Sequence, residues 1–143
     1  MIAIDTNLLV YAHRSGAAEH LRTRRAIESA AATSPGWGVA LASVGEFWSI
    51  VTHPLVVRHA RASRQASAFL RTLITDADMR VWIPGTGFDE RLVERALELD
   101  VRGVRVFDLQ IALTALEHGA TELWTHDAGF VRVPGIVVRD PIA

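Results

Sequence analysis

The segment Ile2-Ala3-Ile4-Asp5-Thr6-Asn7-Leu8-Leu9-Val10 begins as a short apolar strand and continues into a helix, with an aspartate at the junction. The same alternation recurs along the chain. Strands are predicted at 2–4, 37–40, 81–83, 122–125 and 136–138, and helices at 6–13, 19–32, 43–52, 62–75, 88–99 and from 106 to the glycine stop at 118–119. Apolar strands that alternate with helices indicate a parallel sheet covered on both faces. We therefore expect a three-layer α/β/α fold with a central parallel β-sheet, forming a single domain over residues 1–143.

Composition limits the class of protein. Half of the 143 residues are hydrophobic and there is no cysteine, which excludes wholesale disorder, a disulfide framework and a thiolate metal site. No run approaches the roughly 18 apolar residues of a membrane span. The start, from Met1 to Asp5, lacks the basic region of a signal peptide. These features predict a soluble, cytoplasmic protein that does not associate with membranes.

The positive charge consists only of arginine. Net charge is −1, so the chain as a whole does not indicate a nucleic-acid binder. A GC-rich genome explains arginine without lysine, although the planar guanidinium also suits phosphates. The sequence singles out no substrate-binding residue, because each arginine cluster is equally typical of a solvated helix face. The clusters are Arg22, Arg24 and Arg25, and a set spaced by three as in a helical stripe, Arg58, Arg61 and Arg64.

Asp108 is an acidic residue on an apolar helix face. Its neighbours at i+3, i+4 and i+7 are Ile111, Ala112 and Ala115. A charge in that position is costly unless something offsets it. A helix N-terminus contributes less than about 1 kcal/mol at an exposed site, and a metal ion contributes far more.

Three further acids stand at comparable positions, and each has an ordinary structural explanation. Asp5 is a possible N-cap, Glu46 could complete a capping box with Ser43, and Asp127 lies in a polar turn. One parallel sheet would nevertheless bring all of them and Asp108 to its carboxyl edge, where ligands bind. Mutual repulsion there is relieved by a divalent cation, and oxygen ligands suit Mg²⁺ or Mn²⁺. Such a site can activate water against a phosphodiester.

Other chemistry-bearing residues give weaker signals. His13 and His126 could touch a phosphate but are equally ordinary surface histidines, and no pair has zinc-motif spacing. The chain has no P-loop and no G-x-G-x-x-G motif. We interpret the tryptophans mainly as core residues, namely Trp37, Trp48, Trp82 and Trp124.

Four short motifs, taken in order, resemble the PIN-domain ribonucleases and, among these, the VapC toxins of bacterial type II toxin–antitoxin systems. They are Ile2–Asn7, Glu46-Phe47, Phe107–Ala112 and Thr125–Phe130, and the resemblance covers essentially the whole chain. It implies a metal site formed by Asp5, Glu46, Asp108 and Asp127, supported by Thr6, Asn7 and Thr125. We expect Asp5 and Asp108 to be the principal metal ligands. Glu46 and Asp127 would then act directly or through water.

The resemblance also implies an activity and partners. It implies a Mg²⁺- or Mn²⁺-dependent endoribonuclease toxin that inhibits translation by cutting tRNA or rRNA. The expected partners are a second copy of the chain, as a homodimer, and a cognate VapB-like antitoxin that obstructs the active site and carries the operator-DNA binding. One departure is Gly45, where many relatives have a larger residue; it would mark close packing or a later helix start.

Two alternatives of other classes remain. One is a catalytically silent PIN-like module whose acidic pocket binds a basic partner peptide. The other is a phosphatase or DNA nuclease on a similar sheet. An aspartyl-phosphate phosphatase usually needs a second aspartate two residues after the first, and that position is Asn7, which argues against it.

Overall fold

Short parallel strands and helices alternate along the chain, as the sequence predicts. The computed structural model describes residues 1–143 and contains five strands and six helices. In chain order these are β1 (Ile2–Ile4), α1 (Thr6–His13), α2 (His20–Ala31), β2 (Trp37–Ala40), α3 (Leu41–Val51), α4 (Ala62–Asp76), β3 (Arg80–Trp82), α5 (Phe88–Glu98), α6 (Arg105–Glu117), β4 (Glu122–Trp124) and β5 (Val137–Arg139). None of the helices combines the length and the apolar composition needed to cross a bilayer.

The sheet has one point where the direction of strand addition reverses. Its order is β3-β2-β1-β4-β5 and every neighbouring pair is parallel. The chain adds β2 and β3 on one side of β1 and later adds β4 and β5 on the other. Ligands of open α/β sheets bind at the carboxyl ends of the strands at such a switch point. A ligand-binding site is therefore expected at the carboxyl ends of β1 and β4.

The core lies on both faces of the sheet. Ile2 and Ile4 point into a cluster formed with α1 to α4, whereas Ala3 belongs to a second cluster formed mainly with α6. This alternation along β1 is the period-two pattern of a strand buried on both faces. The two clusters and the sheet between them confirm the predicted three-layer α/β/α arrangement.

Helix α1 depends on its surroundings. At 8 residues it is too short to be stable alone. Leu8 and Leu9 are fully buried in the first core cluster, and such burial stabilises by about 1.5–3 kcal/mol per side chain. The Asp5 side chain caps its first turn by accepting a hydrogen bond from the Thr6 backbone N–H. Core packing and the cap together hold this helix and fix the position of Asp5.

The start of α3 differs from the prediction. Ser43 is not its N-cap, because β2 ends at Ala40 and the chain enters the helix at Leu41 without a loop. Ser43 instead lies inside the helix, fully buried, so the expected capping box with Glu46 is absent. Gly45 marks neither close packing nor a later helix start. It is exposed within the helix, and an added Cβ would meet no atom within 4 Å.

The predicted arginine stripe was wrong, whereas the tryptophans are mainly core residues, as predicted. Arg58 and Arg61 precede α4, so only Arg64 of that set lies in a helix and no arginine stripe forms. Trp37 and Trp82 are buried and Trp124 is half-buried, but Trp48 is 40% exposed on α3. Its neighbour Phe47 takes the core-facing position of that helix turn.

Candidate active site

Asp5 is a buried carboxylate at the carboxyl end of the central strand. It is 7% exposed, and its backbone N–H continues the sheet by donating to the Trp124 carbonyl at 3.0 Å. Its Oδ1 accepts from the Thr6 N–H at 2.7 Å and its Oδ2 accepts from the Thr125 hydroxyl at 2.7 Å. Burial raises the pKa of Asp5 to about 6 against the lowering effect of these two bonds. The Asp5 carboxylate is therefore held in a place that disfavours its charge.

Thr125, directly after β4, organises the site through its hydroxyl. That oxygen donates to Asp5 Oδ2, and it accepts from Asn7 Nδ2 at 3.0 Å and from the Asp127 backbone N–H at 3.1 Å. Asn7 Oδ1 in turn accepts from the His126 N–H at 3.3 Å. These bonds tie the start of α1 to the loop after β4. Thr125 and Asn7 therefore fix the position of Asp5 relative to the loop after β4.

Glu46 approaches the same place from α3. The residue is half-buried, and burial raises its pKa, with the Asp108 carboxylate raising it further. The carboxylates of Asp108 and Glu46 likewise raise the pKa of Asp5. The buried Thr6 hydroxyl lies close enough to lower the pKa of Glu46, yet it makes no hydrogen bond of its own. Three acids from different elements therefore repel one another around Asp5, beside a polar atom without a partner.

Asp108 and Asp127 are joined by an arginine. Asp108 lies in the first turn of α6 with its side chain 19% exposed, and the predicted apolar neighbours Ile111 and Ala112 are buried. Arg105 Nη1 donates to Asp108 Oδ2 at 2.9 Å and to Asp127 Oδ2 at 2.6 Å. This guanidinium lowers the pKa of Asp127. Arg105 stands three residues before Asp108, a helical ion-pair spacing that is visible in the sequence.

The histidines next to these residues have other partners. His126 Nδ1 lies 2.7 Å from Asp140 Oδ2, which ties the loop after β4 to the C-terminal segment. His13 packs edge-on between Phe47 and Phe69, with ring centroids 5.4 and 5.0 Å away. Burial lowers the pKa of His13.

The donor set at the switch point fits a hard divalent cation. Its ligand candidates are carboxylate oxygens, and Asp5 Oδ1 and Oδ2 each keep a lone pair beyond the bonds described. A cation would offset both the burial, which is the larger cause, and the mutual repulsion that raise the pKa values of Asp5 and Glu46. As the side chains stand, no group of three histidine, aspartate or glutamate residues converges closely enough to hold a metal ion. Fold and site together define an α/β protein with a carboxylate cluster at the switch point of a parallel sheet, a class suited to metal-assisted hydrolysis.

Comparison with known proteins narrows this class. The PIN domain family matches residues 2–136. The chain is 31% identical over 143 residues to ribonuclease VapC43 of Mycobacterium tuberculosis, a match that covers 99% of this chain and 96% of the relative. The chain belongs to the PIN domain family and, within it, to the VapC ribonucleases.

Solved structures share the fold. VapC20 of Mycobacterium tuberculosis, described as a Sarcin-Ricin loop cleaving toxin, has a TM-score of 0.68 at 21% identity, over 93% of this chain and 98% of that one. VapBC2 of Rickettsia felis, bound to a DNA fragment from its promoter, has a TM-score of 0.67 at 18% identity, over 98% of both chains. These likenesses confirm the predicted PIN fold over nearly the whole chain.

Proposed function

We propose that this protein is a Mg²⁺- or Mn²⁺-dependent endoribonuclease, the toxin of a toxin–antitoxin pair, that cuts tRNA or rRNA and so inhibits translation. One observation carries the proposal. Asp5, Glu46 and Asp108 lie within electrostatic range of one another at the switch point, and neither Asp5 nor Glu46 forms an ion pair with any basic side chain. Buried carboxylates without a counter-charge are expensive unless a cation binds them.

The acids have different roles in this proposal. Asp5 and Asp108 are the principal metal ligands, since Asp5 caps α1 directly after β1 and Asp108 lies in the first turn of α6. Glu46 and Asp127 complete the site directly or through water, or orient the attacking water. Thr125 and Asn7 fix Asp5 and the loop of Asp127 through the bonds described above.

A bound divalent ion supplies an activated water and stabilises the leaving oxygen of a phosphodiester. The chain's own residues keep the site ready for it. Both Asp5 oxygens are held in one orientation by the Thr6 N–H and the Thr125 hydroxyl, so little reorganisation is needed. RNA binding by arginines near the rim should be sensitive to salt, because phosphate contacts release counterions.

The proposed macromolecular partner is a VapB-like antitoxin that obstructs the acidic cleft, with operator DNA bound through the antitoxin. The fold shared with VapBC2, a toxin–antitoxin complex on DNA, supports it. So does Arg105, whose guanidinium lies 2.9 Å from Asp108 and 2.6 Å from Asp127, two carboxylates of the acidic site. An arginine in the tail of an antitoxin has matching chemistry.

We further propose a homodimer. Val93 and Leu97, one turn apart on α5, are 70% and 82% exposed, and Phe107 on α6 is 53% exposed. Val93 and Leu97 share one face of α5, and a contiguous exposed apolar face is the feature that supports an interface. Light scattering of the purified toxin should give twice the mass of one chain, and a monomer at all concentrations would contradict the dimer.

The second candidate is the catalytically silent module that binds a basic peptide, and the seated Arg105 guanidinium is the observation in its favour. Cleavage separates the two. We would incubate the protein with isolated tRNA, with ribosomes and with single-stranded DNA, in Mg²⁺ or Mn²⁺. The proposal predicts cleavage of one RNA class in preference to DNA.

A pair of variants tests the site. Asp108→Asn should lower the rate by at least about 100-fold, as expected for an essential group. Asp100→Asn is the matched control, since Asp100 is exposed and pairs only with Arg102. Metal-dependent cleavage that survives in Asp108→Asn would contradict the assignment, and a folded protein that binds a basic peptide but cleaves nothing would favour the silent module.

A further inference from the structure

Arg105 is the one basic side chain in the acidic site, and it is shared by two carboxylates from distant parts of the chain. Its Nη1 lies 2.9 Å from Asp108 Oδ2 on α6 and 2.6 Å from Asp127 Oδ2 in the loop after β4. The Arg105 side chain is 41% exposed, so it reaches the carboxylates from the solvent side. An arginine at this depth can leave without unfolding the core.

The chain provides a fitted place for this guanidinium. An added Cβ at Gly129 would collide with Arg105 Nη2 and lie 3.1 Å from its Cζ. Gly129 does not have a left-handed backbone, so the Arg105 guanidinium is the main obstacle to a side chain here, and it can move aside. Its N–H also donates to Asp127 Oδ1 at 2.8 Å, which turns Oδ2 of Asp127 toward Arg105.

The negative charge of the site explains why a cation should lie between Asp108 and Asp127. Asp5, Glu46 and Asp108 repel one another, and Asp127 adds a fourth carboxylate. Arg105 offsets only the outer two, Asp108 and Asp127. A divalent ion bound between Asp5 and Asp108 would need oxygens of Asp108, one of which already accepts from Arg105. The ion and the guanidinium carry the same sign of charge, so close approach of both is unfavourable.

We propose that Arg105 is a displaceable counter-cation that competes with the divalent metal ion for Asp108 and Asp127. In the metal-free protein it neutralises these two carboxylates. When the ion binds, the Arg105 guanidinium moves away from Gly129 and from both carboxylates. Asp127 is then free to complete the metal site. The inference rests on the proposed metal-dependent function and adds a cost of metal binding that is built into this chain.

Metal affinity, measured without any turnover, tests the competition. Mn²⁺ would be titrated into the purified, antitoxin-free protein by calorimetry, with free Mn²⁺ followed by electron paramagnetic resonance. Arg105→Gln should bind Mn²⁺ roughly threefold to tenfold more tightly than the wild type, the scale expected for partly exposed ion pairs. Arg102→Gln is the matched control and should bind as the wild type does, because Arg102 is 83% exposed and pairs only with Asp100.

A second variant removes the guanidinium from its seat without removing its charge. Gly129→Ala should displace Arg105 and tighten Mn²⁺ binding in the same direction as Arg105→Gln. In EDTA, Arg105→Gln should also lower Tm more than Arg102→Gln, since Asp108 and Asp127 lose their counter-cation. This measurement needs no metal.

The outcomes separate the inference from the function on which it rests. Saturable Mn²⁺ binding that is lost in Asp5→Asn but unchanged or weakened in Arg105→Gln would overturn the competition and leave the metal site intact. Weakened binding would mean that Arg105 orients the ligands. No saturable Mn²⁺ binding by the wild type would overturn the metal site and the competition together.

Discussion

At the residue scale, Asp5 stands out because it combines a capping role with an unfavourable environment for its charge. Its carboxylate caps α1, yet burial raises its pKa from 3.8 to about 6. A simple N-cap would be exposed and easily ionised. The sequence could identify Asp5 as a cap or as a ligand, and the depth of its burial is what favours the ligand.

The raised pKa predicts a pH dependence of the metal-free protein. Between about pH 4 and 6 folded Asp5 retains a proton that the unfolded chain has released, so stability contributed by this group is present at low pH and is lost as pH rises through about 6. Asp5→Asn does not titrate. The free energy of unfolding of each protein would be measured in EDTA with urea. The difference between Asp5→Asn and the wild type should change in favour of the variant by up to about 3 kcal/mol from pH 4 to 7. Parallel pH profiles of the two proteins would contradict the burial of an ionisable Asp5.

Thr125 gives a second residue-scale prediction. Thr125→Val keeps the shape but leaves Asp5 Oδ2, Asn7 Nδ2 and the Asp127 N–H without their partner, which should cost about 2–4 kcal/mol. Thr23→Val is the matched control, because the buried Thr23 hydroxyl has no hydrogen-bond partner. Its replacement should be neutral or stabilise by about 1 kcal/mol. Urea unfolding checks both, and similar losses in the two variants would contradict the role of Thr125.

At the element scale, β2 requires its glycine, Gly38, whereas α3 does not require Gly45. Gly38 in β2 lies against β3, where an added Cβ would be 2.6 Å from the Arg80 carbonyl oxygen and 2.9 Å from Trp82 Cζ2. Gly38→Ala should therefore displace β3 and destabilise by about 1–3 kcal/mol. Gly45→Ala, in open space within α3, should stabilise by about 0.5–1 kcal/mol. Thermal unfolding of both variants checks the pair, and equal effects would contradict the strand contact.

Element boundaries were predictable where local signals are complete. The helix 6–13 and the strand 37–40 agree with α1 and β2 because an acidic cap and a proline–glycine turn mark their limits. The start of α3 was missed because β2 passes directly into it, so Ser43, a good cap by its chemistry, is buried inside the helix. Local spacing also suggested an arginine stripe at 58–64, but the chain becomes helical only at Ala62.

The sequence proposed the acids of the site, and their role in binding metal or in catalysis stays a prediction. Asp5, Glu46 and Asp108 were found from strand ends and an apolar helix face, and their carboxylates interact in the structure. Arg105 was missed, although its spacing to Asp108 is visible, because its second partner Asp127 is 22 residues away. A contact between residues so far apart in sequence depends on how α6 packs against the loop after β4. Local sequence patterns do not carry that information.

At the scale of the whole molecule, the fold explains how residues so far apart in sequence reach the same edge of the sheet. The reversal of strand order beside β1 opens one edge, and β1, α3, α6 and the loop after β4 each bring one acid to it. The rest of the chain buries two core clusters that keep these elements in place. The proposed activity therefore belongs to the assembled edge rather than to any single motif.

The most direct test of this account is cleavage of total cellular RNA by the purified, antitoxin-free protein, in Mg²⁺ or Mn²⁺ and in EDTA, beside Asp5→Asn and the control Asp100→Asn. The account predicts discrete fragments with wild type and Asp100→Asn in metal, and intact RNA in EDTA and with Asp5→Asn. The same fragments from Asp5→Asn, or from the wild type in EDTA, would contradict a metal-dependent nuclease site at the switch point.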